Sequence, residues 1–321
     1  MSELVSIIIP MYNSAGTIER CVRSALAQTY DNIQIVVVND GSTDDSRQIL
    51  GNITDDRLVI IDKANGGLPQ ARRTGTEQSQ GSYIYYLDSD DWIEPDTIEL
   101  LAQALETNQA DIACCGVIEE DETGKQLSIK SSQPQTTADT TDALQHIHNM
   151  TCYYQYMWNK LYRRGLIELD DFPESNFLGE DYYTLMHIVP RAGKITQLSQ
   201  ACYHYIQSSA SMTKQHYGPV YARAFPELRH IKQELVDQYP QARPQIEAYH
   251  TLQYMAIINA MIRGGEYDTQ VYRQCQTEVN ADGHYLVGNP HYGAVFRWSV
   301  RVFNVSDGAY RVIFRLLHIA E

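Results

Sequence analysis

The first ninety residues predict an α/β fold: a mostly parallel sheet covered by helices on both faces, with a helical extension at the C-terminal end. Three observations predict it. The runs VSIIIP (5–10), IQIVVVND (33–40), RLVIID (57–62) and SYIYYLD (82–88) are near-continuously apolar and rich in β-branched residues. Strands buried on both faces read this way, whereas half-exposed strands alternate. Stretches of helical spacing separate the runs, and that alternation is the mark of parallel strands joined by crossover helices. Third, polar residues gather just past the strand ends, where open α/β sheets bind their ligands.

In order along the chain, Pro10 stops the first strand, and 17–28 places Ile18, Cys21, Val22, Ala25 and Leu26 on one helical face. The second strand ends in Asn39 and Asp40, and 43–50 is a short helix that Thr43 or Asp44 could cap. After the third strand, the flexible NGG at 65–67 leads into a helix over 68–80. The fourth strand runs into LDSDDW at 87–92, and a helix follows at 96–107. Residues 111–118 read as a strand, 124–141 as a polar loop or short hairpin, and 194–206 as another strand. From Tyr217 the pattern turns helical: 221–238, 243–263, 268–279 and a last amphipathic stretch. These divide the chain into 1–110, 111–217 and 218–321, with a boundary near Gly218.

Composition narrows the function. With 321 residues, 43% hydrophobic and 20% charged, the chain is globular and holds one large α/β unit plus an appended piece. A net charge of −15 excludes a surface built to wrap nucleic acid. The six cysteines form no CxxC pair and read as reduced, structural thiols. No stretch reaches the roughly 18 apolar residues of a membrane span. The run Val5–Ile9 is too short for the core of a secretion signal. A cytoplasmic protein is the expectation.

Four clusters carry candidate chemistry, each with a plainer alternative. Asp88, Asp90 and Asp91 stand together at a strand's carboxyl end. They are either a solvated turn capping the next helix or oxygen ligands for Mg²⁺ or Mn²⁺, completed by substrate phosphates and water. NDGSTD (39–44) is either a strand-to-helix turn with Gly41 at positive φ, or a site where Asp40 accepts a base N–H beside a stacking Tyr12. Arg72 and Arg73 are either solvated helix charges or partners for a diphosphate. GED (179–181) is either ordinary helix-start chemistry or a source of catalytic acid. His204 is an ordinary strand histidine or a third metal ligand, and Tyr153, Tyr154, Tyr156 and Tyr162 read mainly as packing.

Together these pieces resemble the inverting family 2 glycosyltransferases of the GT-A fold, a Rossmann-like architecture. The motifs VSIIIPMYN, VVVNDGSTDDS, NGGLPQARRTG, YIYYLDSDDWIEPDTIELL, MWNKLYRRGLI and NFLGEDYYTLMHI occur in the family's order over roughly the first two-thirds of the chain. The resemblance implies a hexosyltransferase that uses a UDP-sugar and Mn²⁺ or Mg²⁺. Residues 1–110 would bind the nucleotide-sugar and 111–217 the acceptor. It assigns Pro10, Tyr12, Asn13, Asp40, Gly67, Arg72, Asp88, Ser89 and Asp90 to the nucleotide-sugar. Asp88 and Asp90 match the DxD motif, one towards ribose or sugar and the other on the metal. The resemblance matches Asp181, in the pair with Glu180, to the general base, and it assigns Trp158 and Lys160 to acceptor binding. The acceptor would be a glycan or lipid-linked hydroxyl in surface polysaccharide or glycoconjugate synthesis. The alternative is a catalytically silent nucleotide-sugar-binding module, although such a relative is expected to lose the DxD or the Glu180-Asp181 pair. A nucleotidyltransferase would show a Gly-rich, basic phosphate loop after the first strand, and PMYNSAGT lacks one.

The tail stands apart. Residues 296–321 carry Arg297, Arg301, Arg311 and Arg315 among apolar residues, against Asp307 and Glu321. Such a basic amphipathic stretch fits either a peripheral membrane contact through 295–319 at the inner face of the cell membrane, or packing on the chain or across a homo-oligomer.

Overall fold

The computed structural model describes residues 2–131, 136–207, 217–265 and 267–318. The chain forms two compact units. The first comprises Met1–Thr140, Tyr156–Asn176 and Glu180–Ser209; the second comprises Thr141–Gln155, Phe177–Gly179 and Ala210–Glu321. The second unit therefore takes two upstream segments besides the region beyond Gly218.

The first unit opens with β1 (Val5–Met11), α1 (Ile18–Leu26), β2 (Ile33–Asp40), α2 (Ser46–Leu50), β3 (Leu58–Lys63), α3 (Leu68–Gln78) and β4 (Tyr83–Tyr86). β5 (Trp92–Ile93), α4 (Thr97–Asn108), β6 (Ile112–Asp121), β7 (Gln126–Lys130) and β8 (Thr136–Asp139) follow. α5 (Thr140–His148) leads into the second unit, and β9 (Lys160–Arg163), α6 (Glu180–Ile188) and β10 (Lys194–Gln207) return to the first.

One sheet runs β3-β2-β1-β4-β9-β6-β10-β5, with β7 on β6 and β8 on β10. Its first half is parallel: β1 pairs with β2 and β4, and β2 with β3. All of β1 and β4 is buried, as the unbroken apolar runs require. α1 covers one face through Ile18, Cys21, Val22 and Ala25. The second half is mixed. β9 inserts antiparallel between β4 and β6, β10 runs parallel to β6, and β5 pairs antiparallel with β10. The polar stretch 124–141 supplies β7 and β8, so it extends the sheet instead of looping away from it.

The second unit holds the rest of α5 and the helices α7 (Pro219–Gln238), α8 (Arg243–Gly264), α9 (Thr269–Gly288), α10 (Ala294–Val305) and α11 (Asp307–His318). α8 is buried along most of its length and forms the unit's centre. α9 runs nine residues past the predicted end at Val279. The polar NADG there reads as a stop, yet Gly283 lies where α10 closes on α9. A Cβ at that position would meet Val300 Cγ1 at 2.8 Å, so the missing side chain lets the two helices approach.

Candidate active site

The parallel strands deliver their polar ends to one edge. Tyr12 follows Pro10 at the end of β1 and is 52% exposed, its ring free to take a planar ligand. Asn13 is committed within the protein: its Oδ1 accepts from the Thr43 N–H at 2.8 Å, and its own N–H donates to Ser42 Oγ at 3.0 Å. It ties the loop after β1 to the loop after β2. Ser89 Oγ lies 2.7 Å from Ser14 Oγ and ties the DxD turn to the same loop. Asp44 accepts from the Ser46 N–H at 3.0 Å, which satisfies a free donor at the start of α2.

Asp40 is buried at the end of β2. Its Oδ1 accepts from Lys63 Nζ at 2.5 Å and the Gly66 N–H at 2.9 Å, and its Oδ2 from the Gly67 N–H at 2.7 Å. A carboxylate offers about four lone-pair sites, so Oδ2 keeps capacity for one more donor. Gly67 takes φ 87°, which a side chain would resist, and presents its N–H to Asp40 as α3 begins. Lys63 escaped the sequence reading. Its signal was a cation directly after an apolar run, at the same strand-end edge as Asp40.

Arg72 is the centre of the site. It projects from α3 and is 2% exposed. One amino group donates to Asp88 Oδ1 at 2.8 Å and the other to Asp181 Oδ1. Its Nε is buried and has no partner among the described residues. Burial works against its charge, but Asp181, Asp88 and Glu180 together raise its pKa. Arg73 points elsewhere, its Nε on the Leu169 carbonyl at 3.2 Å. Of the two arginines, therefore, only Arg72 serves the site.

The aspartates of LDSDDW separate by role. Burial pushes Asp88 up to about 6, with Arg72 pulling against it and Asp181 and Asp90 adding to it. Asp90 is exposed, although partial desolvation still raises its carboxyl. That carboxylate bonds to no other residue among the described residues, while the Asp90 carbonyl accepts from Arg20 at 2.7 Å. Asp91 is buried, accepting from Tyr203 Oη at 2.6 Å and the Ile206 N–H at 2.8 Å. It fastens the turn to β10.

Asp181 sits in the first turn of α6, with Oδ2 accepting from the Met157 N–H at 3.3 Å. Burial pushes neighbouring Glu180 up to about 8, with Asp181 adding to the rise. A carboxyl raised that far favours its neutral form near pH 7.

The contacts favour the structural alternative for His204 and change the reading of Trp158 and Lys160. His204 is not placed as a metal ligand. Its Nδ1 lies 2.9 Å from Glu120 Oε1 and its Nε2 3.0 Å from Glu94 Oε1, and its ring stacks on Trp92 at 3.4 Å between centroids. Both nitrogens are spent on carboxylates that hold β5 and β6 to β10. Trp158 and Lys160 are buried beneath the site. Trp158 stacks between Tyr156 and Tyr203, with centroids at 4.4 and 4.5 Å, and Lys160 Nζ donates to the Tyr156 carbonyl at 2.8 Å and Asn159 Oδ1 at 2.9 Å. They form a floor and offer no surface to an acceptor.

The donor set fits a hard cation. The Asp90 carboxylate and Asp88 Oδ2 are uncommitted oxygens, and the facing acids outnumber the one buried arginine. No cluster of three or more protein ligands occurs among the described residues. Remaining coordination would fall to phosphate oxygens and water, the usual arrangement for Mg²⁺.

A parallel half, joined through β9 to a mixed half and carrying this Asp-rich turn, is the architecture of the GT-A class of α/β proteins. The glycosyl transferase family 2 model matches residues 6–169, and the chain belongs to that family. It is 34% identical over 226 residues to the uncharacterized glycosyltransferase EpsJ of Bacillus subtilis, covering 68% of this chain and 65% of EpsJ. It is 31% identical over 223 residues to glycosyltransferase GlyA of Streptococcus pneumoniae, covering 67% of this chain and 32% of GlyA. Each relative thus extends beyond the region it shares with this chain. The fold matches S. aureus TarS 1–349, solved in complex with UDP-GlcNAc, with TM-score 0.74 and 19% identity over 99% of this chain and 92% of that one.

Proposed function

We propose that this chain is a metal-dependent, inverting hexosyltransferase. It moves a hexose or N-acetylhexosamine from a UDP-sugar to a hydroxyl of a glycan or lipid-linked acceptor, in surface polysaccharide or glycoconjugate synthesis at the inner face of a membrane. The observation that carries this reading is the Arg72 bridge, which brings the DxD carboxylate Asp88 and the base candidate Asp181 onto one side chain. Support for the donor class comes from the fold match to TarS in complex with UDP-GlcNAc.

Tyr12 stacks on the base, and the free capacity of Asp40 Oδ2 accepts a base N–H. When bound, a divalent cation held by Asp90 and Asp88 would neutralise charge on the departing β-phosphate, an effect worth several kcal/mol. Arg72 turns its guanidinium, Nε included, toward the diphosphate, which loosens its hold on Asp181. The acceptor oxygen attacks the anomeric carbon in line, its proton passes to Asp181, and the bond to the UDP oxygen breaks with inversion. A base of this kind contributes about 10²–10⁴ in rate. Glu180, neutral beside it, spares Asp181 a like-charge neighbour.

A screen of UDP release across donor sugars, with Mn²⁺ or with EDTA, tests the reading. One donor hydrolysed with Mn²⁺ and spared with EDTA is the expected result. Release that is indifferent to EDTA would remove the metal from the account, and no release from any donor would favour a silent module.

A further inference from the structure

The C-terminal helices present a second apolar surface that their own packing does not use. On α10, Val300 and Phe303 are buried and hold the helix in its unit. At 3.6 residues per turn, Val295, Trp298, Val302 and Val305 fall in a sector about 80° wide on the opposite side. Val295 is 73% exposed, Trp298 44% and Val305 88%. α11 repeats the arrangement: Tyr310 is buried, while Val312 and Leu316 are 59% and 67% exposed. A helix that needed only to pack on its neighbours would carry polar residues on its outer side.

The charges beside this surface say what covers it. Residues 294–318 hold four arginines against a single acid, Asp307, within a chain of net charge −15. Arg311 is paired with Asp307, which leaves Arg297, Arg301 and Arg315 uncompensated by any acid in the stretch. Arg301 and Arg315 are exposed at the margins of the apolar stripes. An acidic protein is repelled by an anionic surface everywhere except at such a patch. A second copy meeting it about a two-fold axis would set arginine against arginine, which disfavours a homodimer through this face. Exposed Trp and aliphatic side chains flanked by arginine match the boundary of an anionic bilayer, where apolar groups enter the acyl region and cations meet lipid phosphates.

We propose that α10 and α11 form an anionic-membrane docking surface, with Val295, Trp298, Val305, Val312 and Leu316 inserting and Arg301 and Arg315 contacting headgroups. The inference deepens the membrane-face reading above and stands apart from the chemistry of transfer. The full chain should float with vesicles of phosphatidylcholine containing phosphatidylglycerol, and bind phosphatidylcholine alone at least tenfold more weakly. Trp298 is exposed, whereas Trp92 is partly buried and Trp158 buried, so brominated lipid should quench Trp298 selectively. The double substitution W298E/V305E should reduce flotation at least tenfold while leaving the circular dichroism spectrum and donor hydrolysis unchanged. R301E/R315E should abolish the preference for anionic vesicles. Absence of flotation on anionic vesicles, or equal binding by W298E/V305E, overturns the proposal without touching the transferase assignment. So does a lipid-free dimer in sedimentation that W298E/V305E disperses, because the surface is then a contact between copies.

Discussion

Polar residues behave oppositely in the two halves of the sheet. In the parallel half, β3-β2-β1-β4, they stand past the strand ends and either face the site or tie loops around it, as Tyr12, Asn13, Asp40 and Asp88 do. In the mixed half, β9-β6-β10-β5, they lie within the sheet and are buried. Asn159 donates from Nδ2 to the Cys115 carbonyl at 2.7 Å, Lys160 is sealed under Tyr156, and His204 is held between Glu120 and Glu94. Parallel strands with crossover helices leave one edge open to ligand, so polarity there is available to it. Antiparallel insertions fill the centre, and polarity there must be satisfied inside. The same residue types thus mean ligand contact in one half and support in the other.

Breaking the cluster around Arg72 should cost the most. Asp181→Asn should lower turnover about 10²–10⁴-fold while leaving UDP binding near the parent value, read by donor hydrolysis beside calorimetry. Asp90→Ala should lose at least as much turnover, and lose the Mn²⁺-dependent part of UDP binding as well. Arg72→Leu leaves Asp88, Asp181 and Glu180 facing one another without their cation. Because Arg72 is buried but its partners are partly open, the loss should be about 3 kcal/mol in a denaturant titration, and Mn²⁺ should restore part of it.

The supporting half sharpens the contrast. His204→Gln should cost about 1–3 kcal/mol of stability yet leave Mn²⁺-dependent UDP affinity within about twofold of the parent. A tenfold loss of metal-dependent binding would return His204 to the metal. An effect confined to acid pH lies in the second unit. His148 is fully buried, and burial pushes it down to about 4. Its folded pKa is below the unfolded value near 6.5, so the unfolded chain binds the extra proton between those values. Its contribution is intact above about pH 6.5 and is lost as pH falls toward 4, up to about 3 kcal/mol. Below that both states are protonated and the loss levels off. His148→Gln should remove this pH-dependent difference from the parent in paired melts.

The same contrast explains what was legible in the sequence. The parallel half was readable because its strands are local apolar runs and each polar residue follows one directly. That placed Asp40, Asp88 and Asp90 on one edge before any coordinates, whereas Arg72 and Asp181 joined them only through the family resemblance. Elements defined by distant partners were not readable. β5 is a two-residue strand that exists only through pairing with β10, and β9 hides in an aromatic stretch because its meaning comes from lying between β4 and β6. His204 stayed open between two readings for the same reason: both of its partners, Glu94 and Glu120, are remote in sequence. Asp91 could not be told from Asp90 by type or spacing, since only its bonds to Tyr203 and Ile206 separate them.

The central claim is that the carboxylates around Arg72 divide the work, Asp90 holding the metal and diphosphate and Asp181 taking the proton. Calorimetric titration of UDP with and without Mn²⁺, run on the parent, Asp90→Ala and Asp181→Asn, tests this directly. The account predicts that Asp181→Asn keeps the full Mn²⁺-dependent gain in affinity and that Asp90→Ala loses it. An Asp90→Ala protein that retained that gain would contradict the account.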